Sequence, residues 1–161
     1  MSTASDPARP FVLIPERFGS LMALVARVHK SNQAVFPNAF DLVCFGAAVG
    51  YAKGRTGTIS TNSNDKTDGG EVVMTAPERQ DRVLCDMVAV AHAQSDDILS
   101  PGKLQDRLNI FMQYACGGMD YMLELTESRT ARAAVEVIIR GTDQDSSIQE
   151  LDALSSLDDQ P

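Results

Sequence analysis

The chain has 161 residues and a hydrophobic content of 43%, with a mean hydropathy of −0.13, values of one soluble globular domain able to bury about two-thirds of its unfolded surface. Its net charge of −8 is concentrated at one end: residues 142–161 hold six acids and no base, which leaves 16 acids and 14 bases elsewhere, too balanced a body for a strongly basic nucleic-acid binder. Its apolar runs fall well short of the ~20 residues a membrane span needs.

In chain order, residues 1–14 read as a flexible leader containing Pro7 and Pro10. Its apolar run FVLI is too short for a secretory signal, and a basic start is missing, so a cytoplasmic protein is expected. A helix is predicted from Glu16 to Lys30, because Phe18, Leu21, Leu24, Val25 and Val28 line one face. Pro37 and Asn38 then supply a turn and a helix cap. The next helix, Ala39 to Lys53, is apolar nearly all round and belongs in the centre of a domain. Within it Gly46 and Gly50, with Ala47 beside them, make a small surface that admits a neighbouring helix, and Gly54 suits the left-handed position that ends it.

TGTIS and GEVVMT, within residues 57–75, are β-prone runs around the polar TNSNDKTDGG, and predict a short two-stranded ribbon with a long flexible tip. Pro77 opens a third helix with Leu84, Met87, Val88 and Ala91 as its core face, and with Arg79, Asp81, Arg82 and Asp86 turned away. Ser100 and Pro101 are placed as cap and first residue of a fourth. Its core stripe is Leu104, Leu108, Phe111, Ala115, Met119 and Met122, and Gly117 and Gly118 are expected to bend or split it. ARAAVEVIIR fits helix or strand, its alanines favouring helix, and Gly141 ends it. The expectation is therefore a mainly α single domain of four to five helices with a β ribbon over residues 15–141, followed by an acidic disordered tail over 142–161.

The inventory for chemistry is thin. Cys44, Cys85 and Cys116 are too far apart for paired zinc ligation and read as buried thiols. His29 stands apart, and His92 with Asp96 and Asp97 reads as a solvated helix end rather than a metal site. GYAKGRTG lacks the lysine placement of a phosphate loop. No catalytic residue, cofactor or metal is expected. Two candidate contact sites remain. Lys53 and Arg55 complement the negative end of the second helix, or hold an anion that Gly54 and Gly57 allow close. In the tail, Ile148, Leu151, Leu154 and Leu157 recur every third residue, a stripe that suits docking into a partner's groove.

Three stretches together resemble a known family. VFPNAFDLVCFGAAVGYAKGR is similar to its apolar helix running into Gly-Tyr and Gly-Arg, here Gly50, Tyr51, Gly54 and Arg55. YACGGMDYMLE is similar to its second signature, a tyrosine before a Gly-Gly, here Tyr114, Gly117 and Gly118, and DRVLCDMVAVA lies between them. The family is DNA phosphorothioation-associated protein 4, and the resemblance spans about residues 15–125. The stretch at 60–71 is longer and more polar than the family's connection, and the tail lies outside the resemblance. Membership implies a role in a bacterial DNA modification and restriction system directed against foreign DNA, and it carries over no catalytic residues. The leading expectation is a non-enzymatic accessory protein whose partners are other proteins of that system, with DNA contact weak or indirect. The alternatives are a DNA- or phosphate-binding regulator using Lys53, Arg55 and bases of the first helix, and a degenerate nuclease or other enzyme with an unrecognised site.

Overall fold

The computed structural model describes residues 10–28, 32–74 and 81–141, without the side chains of Asp81 and Arg82. The leader before residue 10, His29, the opening of the third helix at Pro77, and the whole tail lie outside the described residues. The described chain forms strand β1 (Phe11–Leu13), a 3-10 helix (Glu16–Leu24), helix α1 (Ala39–Lys53), strand β2 (Glu71–Val73) and helix α2 (Asp81–Ala93). Two short 3-10 turns, Asp96–Leu99 and Pro101–Lys103, lead into the long helix α3 (Leu104–Thr126), and α4 (Ala131–Arg140) follows. The protein is mainly α with one two-stranded ribbon, as its periodicity predicts.

Helix α1 begins and ends where its residues dictate. Asn38 Oδ1 accepts from Asp41 N at 3.0 Å, and Gly54 closes the helix in the left-handed region at φ 62. That conformation costs glycine nothing because it has no Cβ. Helix α4 resolves the helix-or-strand ambiguity in the same way, capped by Thr130 and ended by Gly141 at φ 67. The core joins both faces of the domain: Ile14, Phe18, Leu21, Leu24, Leu42, Val43, Phe111, Ala115, Met119 and Met122 are all fully buried.

Several expectations need correction. The Glu16–Lys30 helix is a 3-10 helix that stops at Leu24. A three-residue spacing of Phe18, Leu21 and Leu24 stacks side chains directly at three residues per turn. It ends there because Leu24 O accepts from Val35 N and Phe36 N, and Ala26 N donates to Phe36 O. The ribbon contains β2 as expected, but its partner is β1, from the expected leader, and TGTIS is not a strand. Val12 and Ile14 alternate into the core at 6% and 0% exposure, while the 57–58 backbone is bound elsewhere, Gly57 N donating to Gln113 O. The fold thus reaches back to Pro10, ahead of the expected boundary at residue 15.

The polar stretch at 60–71 is laced to the domain rather than left as a tip. Asp65 Oδ1 caps the 3-10 helix by accepting from Glu16 N at 3.0 Å, Thr67 N donates to Ile14 O, and Thr67 is buried. On α2 the core face is Cys85, Val88 and Ala89, with half-buried Leu84 packed against the core as expected, whereas Met87 is 62% exposed and Ala91 is also exposed. Asp86, expected to point away, pairs with the buried Arg107, its Oδ1 lying 2.9 Å from Arg107 Nε. Finally, Gly117 and Gly118 do not split α3, which runs as one helix through them. Ser100 precedes the Pro101 turn as expected but uses its carbonyl, which accepts from Lys103 N, and makes no side-chain cap.

Candidate interaction site at the α1–α3 crossing

The glycines explain why α1 and α3 pack more extensively than any other pair of elements. A methyl group on Gly50 would overlap the Tyr114 carbonyl oxygen, one on Gly118 the Gly46 carbonyl oxygen, and one on Gly117 the Arg55 carbonyl oxygen. At Gly46 a Cβ would stand 2.9 Å from Ala115 O, and at Gly57 it would stand 2.8 Å from the Cys116 carbonyl carbon. Backbone therefore lies against backbone on both sides of the crossing. The two signature stretches, some sixty residues apart in sequence, meet here: Gly50, Tyr51, Gly54 and Arg55 on one side, Tyr114, Gly117 and Gly118 on the other.

This close approach brings the chain's three tyrosines to one surface. The rings of Tyr51 and Tyr114 meet edge-on with centroids 5.4 Å apart. His92 from α2 joins them, its ring centroid 5.7 Å from that of Tyr114 and its Nδ1 3.0 Å from the Tyr114 hydroxyl. Tyr121, two turns further along α3, lies under both basic residues at the end of α1. Lys53 Nζ is 4.9 Å from its ring centroid and the Arg55 guanidinium carbon 5.3 Å, within reach of cation–π attraction. Tyr51 remains 46% exposed.

The charges on this surface are paired. Arg55 forms a two-pronged ion pair with Glu124, with Nη1 2.8 Å from Oε2 and Nη2 on Oε1. One turn earlier on α3, Asp120 holds Arg17, Nε to Oδ1 at 3.1 Å, and Arg17 Nη2 also donates to Thr58 O. The hydrogen bonds from Arg55 hold the Glu124 carboxyl below its usual range, and the same bonds raise the Arg55 guanidinium. An incoming phosphate would have to displace the Glu124 carboxylate before it could use Arg55.

Neither acid is visible as a partner in the sequence, where Asp120 and Glu124 are ordinary charges of an amphipathic helix. Their only signal is the spacing of Glu124 three residues after Tyr121. Cys116 lies beneath the same surface, and burial pushes its thiol up to about 12 against a smaller opposing pull from Arg17. A thiol held neutral is a poor nucleophile and metal ligand. Cys85 is likewise buried, and Cys44 half-buried. The docking candidates Ile148, Leu151, Leu154 and Leu157 lie outside the described residues. Among the described residues no cluster of three His, Cys, Asp or Glu side chains is arranged for a metal ion. Nor is any helix there long and apolar enough to cross a membrane.

The fold and the site together define a small helical domain whose signature residues form a glycine-lined helix crossing under an aromatic, charge-paired surface. The chain belongs to the DNA sulphur modification system-associated protein 4 family, which it matches over residues 14–156. The match runs past the expected limit at residue 125 and takes in most of the acidic tail, with Ile148, Leu151 and Leu154 inside it and Leu157 beyond it. No curated protein and no solved structure matches the chain.

Proposed function

We propose that the protein is a non-enzymatic accessory component of a DNA sulphur modification system, and that it acts in modification and restriction of foreign DNA by binding other proteins of that system. The observation that carries this reading is the surface at the α1–α3 crossing. Half-exposed Tyr51 meets Tyr114, which meets His92, and Tyr121 lies under Lys53 and Arg55, near two arginines whose charges are already matched by carboxylates. Tyrosine and arginine are the residue types that dominate binding energy in protein interfaces, and balanced charge suits a protein partner better than a polyanion. The tail supplies a second candidate contact through Ile148, Leu151, Leu154 and Leu157.

A second reading, a DNA- or phosphate-binding regulator, has one observation in its favour. Aromatic rings flanked by Lys53 and Arg55 can stack bases of a single strand while the cations meet its phosphates. Co-purification from cells that express the modification proteins separates the two. The first reading expects association that persists at high salt and falls with Tyr51→Asp. The second expects DNA binding that fades steeply with salt and is abolished by Lys53→Glu with Arg55→Glu.

A further inference from the structure

A cleft of about 730 Å³ lies on another part of the molecule, between β1, residues 59–63 and the first half of α3. One wall is α3, where the stripe Leu104, Leu108 and Met112 faces one way, Leu108 and Met112 being buried and Leu104 half-buried, with Gln105 and Asn109 beside it. Ser60 and Thr61 stand at the rim. None of the lining side chains is charged, in a chain of which 22% of residues are. The opposite wall is β1 itself.

The hydrogen bonds of the ribbon set which way β1 presents its backbone. Pro10 O accepts from Met74 N at 2.7 Å and Ile14 N donates to Gly70 O at 2.8 Å. In an antiparallel pair only every second residue bonds a given neighbour. Residues 10, 12 and 14 therefore face β2, and Phe11 and Leu13 turn their N–H and C=O groups to the other edge. That edge carries no strand among the described residues. The outer face of the ribbon is apolar as well, with Phe11 49% and Val73 45% exposed as direct cross-strand partners.

We infer that this cleft binds an extended, uncharged peptide segment of a partner protein. The segment adds as a strand to the edge of β1 that carries no strand among the described residues and seats an apolar side chain against half-buried Leu104, behind which Leu108 and Met112 are buried. A row of unpaired N–H and C=O groups beside an apolar wall is the arrangement that strand addition uses, backbone bonds giving affinity and side-chain pockets specificity. The cleft volume is in the range of specific ligand sites. The chain's own tail is a poor occupant, because residues 142–161 carry six acids and place apolar residues at every third rather than every second position.

The test is titration of the isotope-labelled full chain with a synthetic peptide of alternating valine and threonine, blocked at both ends. The amides of Phe11 and Leu13 should shift and gain protection from hydrogen exchange, while that of Val12, already paired with β2, changes little. The same peptide N-methylated along its backbone should not bind. Phe11→Pro, which removes an outward N–H and also the Phe11 ring that lines the cleft, at an edge position that tolerates proline, should weaken binding about tenfold. Phe11→Ala, which removes the ring alone and keeps the N–H, should weaken it less. Leu104→Asp, which places a charge on the α3 wall, should weaken it as much as Phe11→Pro and decides the matter if that variant fails to fold. The inference is overturned if the shifts centre on Tyr51 and Tyr114, if none appear, or if the methylated peptide binds equally. It is also overturned if Phe11 and Leu13 are protected in the free chain and lose protection on truncation after Gly141 or on dilution, since the tail or a second copy is then the occupant.

Discussion

At the α1–α3 crossing, side chains are removed so that two backbones touch, whereas along β1 a backbone edge is held open beside an apolar wall. Both regions work through main-chain groups, but with opposite tolerance. Carbonyl oxygens facing Gly50 and Gly118 belong to helices and cannot step aside, and the one facing Gly117 belongs to Arg55 just past the end of α1, so every added atom costs. At the ribbon, Phe11 and Val73 already face outward, and change there is absorbed by solvent. The contrast teaches where the two signatures act: they specify how closely two helices meet, and the aromatic surface is a consequence of that distance.

The largest expected effect comes from breaking that distance. Gly118→Ala places a methyl on the Gly46 carbonyl oxygen, and should cost roughly 3 kcal/mol or more, or abolish cooperative folding, because overpacking against backbone has no cheap relaxation. Gly19→Ala is the control. A Cβ there meets nothing within 4 Å, and urea unfolding should differ from the parent by less than about 0.5 kcal/mol. Equal losses in the two variants would show that the crossing is not the constrained region.

Next comes a site that joins the α2 side to the start of α3. Arg107 is only 5% exposed; its Nη1 donates to Ile98 O at 2.9 Å and to Ser100 O at 3.2 Å, and its Nε makes ionic contact with Asp86. Arg107→Ala leaves two carbonyls without their donor and the Asp86 carboxylate without its counter-charge. With Asp86 37% exposed, the loss should be about 2–3 kcal/mol rather than the full value for a wholly buried pair. Arg107→Lys should recover only part of it, since an ammonium cannot reproduce the planar fork. On the ribbon side, Asp65→Ala removes the cap on Glu16 N and should cost about 1 kcal/mol by thermal melting. A null result would return the 60–71 stretch to the role of a loose tip.

These sites also mark what was legible in the sequence. Helix α1 was readable from Asn38 to Gly54 because its cap, its apolar content and its stop are all local. Its glycine stripe announced a close neighbour without saying which. The partner of β2 was not readable, since pairing with Phe11–Leu13 spans about sixty residues and TGTIS has an equally β-prone composition. The face of α2 was misassigned because Val83, Leu84, Met87, Val88 and Val90 surround the helix, and only the position of α3 decides which of them is covered. Arg107 carries no sign of burial, which depends on carbonyls supplied by Ile98 and Ser100. At the candidate site the same division holds. Lys53 and Arg55 stood out by sequence, but the carboxylate that occupies Arg55 did not.

The smallest effect is the most useful for choosing between the two functional readings. The Arg55 and Glu124 side chains are 35% and 54% exposed, so a double-mutant cycle should return a coupling of only about 0.5 kcal/mol, weakened further by salt. Because Arg55 holds the Glu124 carboxyl below its usual range, that coupling should be complete above the ordinary carboxylate range. It should disappear as the pH falls through the lowered value, where the carboxylate takes up a proton. Glu124→Gln removes the competing charge at every pH while leaving Arg55, Lys53 and Tyr121 in place. If the surface serves a protein partner, this variant should weaken or preserve co-purification and leave DNA binding as feeble as before. If it serves phosphate, freeing Arg55 should raise affinity for a single-stranded oligonucleotide at low salt, and the gain should vanish when Arg55 is then changed to Ala.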